Sequence, residues 1–207
     1  MAHSDGDVTE LLTLPRRVLH QPTPDVHPGG DCGACVIGGL VDLTVPEVYE
    51  KLQQRTTAAW SRPSSFSRKG IVNALEIARQ DGRVQHVIDD CPRWHPKWDE
   101  WGEWGDPGWI QAGPWYNYIR LGLMAGYYAV ANVRWDKGGP LAGGTDHWVL
   151  LCGARTHWRG FEGSCAGDSQ VLVSCSSRST PDEEWVEILD FLRQRGGFNV
   201  VLVRVNP

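Results

Sequence analysis

Apolar residues recur at helical spacing directly after a Gly29-Gly30-Asp31 break, at Val36, Ile37, Leu40 and Val41, which predicts a helix from Cys32 to about Val41. Thr44 and Glu47 stand at capping-box spacing with Pro46 in the first turn, so a second helix is expected over 45–55. A Ser/Pro-rich stretch over 61–67 leads into a third helix over 70–80, with Ile71, Ala74, Leu75 and Ala78 on one face and Gly82 at its end. Downstream the pattern changes. A short alternating strand covers 84–88, a helix is expected over 115–124, and a strand over 127–133. After the glycine-rich loop 138–144, Trp148, Val149, Leu150, Leu151 and Cys152 form a buried strand, with His147 at its beginning and Gly153 at its end. A strand over 171–175, a capped helix over 181–194 and a last strand over 199–205 complete the series, and the polar, proline-containing segment through Pro28 holds no evident strand.

Helices first and largely antiparallel strands afterwards describe an α+β fold. With 207 residues the chain is expected to form a single domain over 1–207, long enough to bury a sizeable core. The segment 91–115 stands apart, because six of the eleven tryptophans fall inside it and acidic residues lie between them. It reads as an insertion into the domain. Trp94, Trp98 and Trp101 recur at helical spacing, a stripe that more often seals a packed insertion than lines a sugar or base site.

A hydrophobic fraction of 41% is ordinary for a globular chain, and a net charge of -5 without a basic cluster argues against nucleic acid as a partner. The first residues, MAHSDGDVTELL, lack the basic start and apolar core of a secretory signal, and nowhere do about eighteen apolar residues run together as a membrane span needs. A cytoplasmic protein with no membrane partner is therefore expected, its six cysteines being reduced thiols.

Two segments carry chemistry, GGDCGACVIGGL over 29–40 and TDHWVLLCG over 145–153. Cys32 falls at a helix start, where free N–H groups and the positive end of the helix dipole favour a thiolate and, later, an oxyanion. His147, at the start of a strand, supplies an imidazole base, since such partners meet in space and not in sequence. Cys35 is the alternative nucleophile, but one turn inside the helix it faces the same side as the apolar residues. The Cys32–Cys35 spacing also suits half of a zinc site, yet no second pair of that spacing follows, and a thioredoxin-type pair would need a preceding strand. No metal and no organic cofactor are expected.

The order of elements, the segment Cys32-Gly33-Ala34-Cys35 with Thr44 beginning the next helix, and GTDHWVLLCG over 144–153 together resemble the papain-like cysteine peptidase fold in its compact bacterial, C39-like form. The resemblance implies an N-terminal helical part with a nucleophile helix, followed by an antiparallel sheet. It further implies Cys32 as nucleophile and His147 as base, with an oxyanion hole from a glutamine upstream of the cysteine and a backbone amide near it. Here those are Gln21 and Gly33. The third catalytic position, an Asp or Asn in such peptidases, falls in VLVSCSSRS over 171–179, which has no carboxylate, so Ser176, Ser174 or Asp168 is left to orient His147. Trp101, Trp104, Trp109 and Trp148 are expected as apolar walls for a peptide or acylated small-molecule substrate. The activity implied is cleavage of a peptide or isopeptide bond through an acyl-enzyme. The alternatives are a papain-like acyltransferase passing the acyl group to an amine and a catalytically inactive binding protein that keeps the fold.

Overall fold

The computed structural model describes residues 8–20, 31–55, 67–90, 108–134, 146–158, 169–176, 183–195 and 199–207. Along them run β1 (Val8–Thr13), α1 (Cys32–Val41), α2 (Val45–Arg55), α3 (Arg68–Gln80), β2 (Val84–Ile88), α4 (Gly108–Met124), β3 (Tyr128–Arg134), β4 (Asp146–Trp158), β5 (Gln170–Cys175), β6 (Glu183–Glu187), α5 (Ile188–Arg195) and β7 (Asn199–Val205). The fold is α+β, but its helices and strands interleave. β1 precedes α1 and β2 separates α3 from α4, which corrects the expected helical block followed by a sheet.

The seven strands form one sheet in the order β2-β7-β3-β4-β5-β6, with β1 also on β4, and every pairing is antiparallel. The long strand β4 holds the arrangement together. Its first half pairs with β3, its second half with β1, and β5 runs along its other edge. Because side chains alternate across a strand, β4 and β5 have two apolar faces. Trp148, Leu150, Cys152 and Leu172 pack with α1, α2 and α3, whereas Val149, Leu151, Val171, Val173 and Cys175 pack with α4 and α5.

Three elements differ from expectation for identifiable reasons. β1 has little pattern of its own, and its Leu11 is exposed, but it completes the β4 edge that β3 leaves free. β4 correspondingly runs on past Gly153, which is needed there for close approach: a Cβ would sit 2.9 Å from both the Leu12 carbonyl oxygen and Leu172 Cβ. The expected helix over 181–194 divides. Its acidic start imitates a helix N-terminus, yet Glu183–Glu187 pair with β5 as an edge strand, and the helix begins at Ile188, where Ile188, Phe191 and Leu192 bury at helical spacing. Of the Trp-rich insertion, 91–107 lies outside the described residues, and 108–115 forms the start of α4.

Residues 14–20 lie across α1 and the sheet, with backbone N–H bonds from Leu14 to the Cys152 carbonyl at 2.7 Å, Val18 to Ser174 Oγ at 3.0 Å and Leu19 to the Cys35 carbonyl at 3.2 Å. This close passage depends on glycines. A Cβ at Gly39 would overlap the Arg17 carbonyl, and one at Gly38 would overlap the Leu43 carbonyl. Among the described residues no single helix is long and apolar enough to cross a membrane.

Gly39→Ala is expected to lower stability by about 1–3 kcal/mol through this overlap with backbone, read as a lower urea midpoint at unchanged slope.

Candidate functional site

Cys32 is the first residue of α1 because Asp31 before it has non-helical dihedrals, φ -107° and ψ 10°. The Asp31 carboxylate makes no capping bond to the helix. It accepts a hydrogen bond from Tyr49 Oη of α2 at 2.9 Å, both groups being buried, while the Asp31 carbonyl takes the Cys35 N–H at 2.8 Å. Asp31, at the entry to α1, is thus held from the neighbouring helix. The first amides of a helix have no partners within it, and those of Cys32 and Gly33 favour a charged Cys32 sulfur.

The sheet lies against the same sulfur. The β4–β5 ladder ends at the pair Val149–Cys175, and the next residue on β4, Trp148, packs with Cys32 in one core, its amide favouring the charged form of the thiol. The helix start therefore meets β4 beside His147. The imidazole is 9% exposed, and its Nε2 lies 3.2 Å from Cys175 Sγ, so a buried thiol–imidazole pair stands next to the residue that packs with Cys32.

Burial pushes the Cys32 thiol above its ordinary range, against the opposing pull of the Trp148, Gly33 and Cys32 amides, and Cys175 adds to the rise. This corrects the expectation of a resting thiolate: the helix start supplies donors, but removal from water outweighs them. Cys152 is also pushed up by burial, to about 11, and Tyr49 is raised by burial and by its bond to Asp31.

The structure separates the expected site residues. Cys32 and Gly33 stand together at the start of α1, where Cys32 packs in one core with Trp148, and His147, the residue before Trp148, holds its imidazole to Cys175. Cys35 is fully buried in the core and its thiol is turned to the His20 carbonyl, 3.6 Å away. Ser176 is fully buried, but its Oγ has no hydrogen-bond partner among the described residues; His147 is bonded to Cys175, and Ser174 Oγ is occupied by the Val18 N–H. Trp148 is 1% exposed and belongs to the core, so the site receives its amide and not its indole. Trp109 falls in the first turn of α4, while Gln21, Trp101, Trp104 and Asp168 lie outside the described residues.

Cys175 is the residue that the sequence reading missed. It ends the strand after the histidine strand, where a carboxylate or amide was sought, and a cysteine closing an apolar run reads as core. Its position beside a strand-initial histidine was the available signal. Among the described residues no three His, Cys, Asp or Glu side chains group as metal ligands. The arrangement offers a thiol under three amide donors and an imidazole oriented by a second thiol, which are the parts of nucleophilic and general-base chemistry.

Iodoacetamide alkylation of Cys32 is expected to have its pH midpoint above the ordinary thiol value of about 8.5. Folding stability should follow in the same range. Above the pKa of an unfolded thiol the unfolded chain releases protons that buried Cys32, Cys152 and Tyr49 retain, so stability is unaffected below about pH 8 and falls between about pH 9 and 11, read from urea midpoints.

No protein-family model and no curated protein sequence matches this chain, so the reading of the site rests on its geometry.

Proposed function

We propose that the protein is a cysteine hydrolase of papain-like type, in which Cys32 attacks an amide or ester carbonyl and His147 acts as its base. The observation that carries this reading is the buried imidazole of His147 with its Nε2 3.2 Å from Cys175 Sγ, one residue from Trp148, which packs in one core with the helix-initial Cys32. In this reading Nε2 stays with Cys175 and Nδ1 receives the Cys32 proton. Because burial keeps the thiol protonated at rest, the proton moves to His147 as the sulfur–carbon bond forms, in general-base fashion. His147 then returns the proton to the departing amine, and water releases the acyl group from sulfur. Cys175 takes the orienting place filled by Asp or Asn in the peptidases that this chain resembles, and a thiol there holds the ring without the full charge of a carboxylate.

A second reading, transfer of the acyl group to an amine, is favoured by the burial of the pair, with Cys32 5% and His147 9% exposed, since exclusion of water protects a thioester. Glycinamide added to the assay separates the two readings: the acetyl group appears on glycinamide for transfer and as acetate for hydrolysis.

p-Nitrophenyl acetate tests the nucleophile directly, because the acyl–oxygen bond breaks, p-nitrophenolate leaves and the acetyl group marks the cysteine that attacked. Acetylation is expected on Cys32, lost in Cys32→Ala and unaffected in Cys35→Ala. It should be slowed about a hundredfold in His147→Ala and about tenfold in Cys175→Ala. Acetyl found on Cys175, or no cysteine acetylated faster than a free thiol, overturns the reading.

A further inference from the structure

Ser176 is fully buried and its hydroxyl makes no hydrogen bond among the described residues. Native structures rarely leave such a group without a partner, because desolvating a hydroxyl costs stability, and the exceptions concentrate where a ligand supplies the missing bond. The register of the sheet gives the place of this one. Leu150 stands opposite Ser174 and Val149 opposite Cys175, so one further step puts Ser176 opposite Trp148, which packs in one core with Cys32.

Alternation gives its direction. Leu172 and Ser174 face α1 and the segment over it, Ser174 being bonded to Val18, whereas Cys175, the last residue of β5, faces the side of α4 and α5 with His147 bonded to it at the end of the sheet, from where the Cys175 thiol still acts on Cys32. Ser176, next after Cys175, returns to the α1 side, where Cys32 begins the helix. A hydroxyl without a partner and the amides of Cys32 and Gly33 therefore converge on the end of the sheet that holds the nucleophile.

Resting on the cysteine-hydrolase reading, we infer that Ser176 is the side-chain donor of the oxyanion hole, and not the partner of His147. As the Cys32 sulfur bonds the carbonyl carbon, the carbonyl π pair moves onto oxygen and the thiol proton passes to His147. The Ser176 O–H donates to that oxygen without giving up its proton. When the tetrahedral species collapses, the pair returns to the carbonyl, the bond to the leaving group breaks, and the hydroxyl is left without a partner again. A donor kept unpaired by the fold needs no reorganisation in the transition state, which is the condition for electrostatic preorganisation. The cost of burying it is the kind of strain that active sites retain at the expense of stability.

Two probes of the same sulfur test this. Iodoacetamide alkylation is displacement at a saturated carbon and builds no oxyanion, whereas acetylation by p-nitrophenyl acetate passes through one. In Ser176→Ala the ratio of acetylation to alkylation at Cys32 is expected to fall about a hundredfold. The alkylation rate and its pH midpoint should stay as in the wild type, showing that the thiol and its base are intact. The melting temperature should rise by about 2–4 °C, because an unsatisfied buried hydroxyl has been removed. A ratio within twofold of the wild type overturns the inference, including the case in which both rates fall together. Wild-type Cys32 that is alkylated but never acetylated overturns the hydrolase reading instead, and that outcome is visible before any Ser176 variant is made.

Discussion

The antiparallel ladder that β4 makes with β1, β3 and β5 fixes which side chains face α1 and which face α4 and α5. A slip of one residue would exchange His147 with Trp148, sending the indole from one core to the other and the imidazole away from Cys175. Such a slip is opposed on both sides of the sheet, since Trp148, Leu150 and Cys152 fill one core while Val149 and Leu151 fill the other. Gly153 adds a third restraint, because only there can the Leu12 backbone and the Leu172 side chain approach so closely. Placement of the candidate site residues is a consequence of register, and register is a consequence of burial on two faces.

The nucleophile is set by a second constraint that acts at the helix start. Tyr49 holds Asp31 from α2, the segment over 14–20 presses on α1 across Gly38 and Gly39, and Cys32 packs with Trp148. These contacts come from three separate parts of the chain and enclose the thiol. Enclosure has opposing effects on it: the amide donors stabilise negative charge, and loss of water destabilises it more. The thiol is therefore protonated at rest, and its ionisation is tied to the base that takes the proton.

Elements whose information is local were legible in the chain. The helix from Cys32 to Val41, the Thr44–Glu47 cap of α2, with bonds of 2.7 Å from the Thr44 amide and hydroxyl to Glu47, and the apolar face of α3 all follow from propensity and period within a dozen residues. β1 and β6 were not legible for the same reason. Each is a strand by virtue of the edge it joins, at β4 and β5, and an acidic run such as Glu183-Glu184 looks like a helix start until a strand edge is available to it.

At the site, residue type and local context singled out Cys32 and His147, because a glycine break before an apolar helix and a histidine opening an apolar strand are patterns in the chain itself. Tertiary structure alone decided the rest. It put the Cys175 thiol on the imidazole, left the Ser176 hydroxyl without a partner, used Trp148 for its amide, and raised the Cys32 thiol instead of lowering it. Hydrogen-bond partners across a sheet and the loss of water around a sulfur depend on which distant segments close over one another. That information exists only when the chain is folded, whereas periodicity and helix-start chemistry are already present in the order of residues.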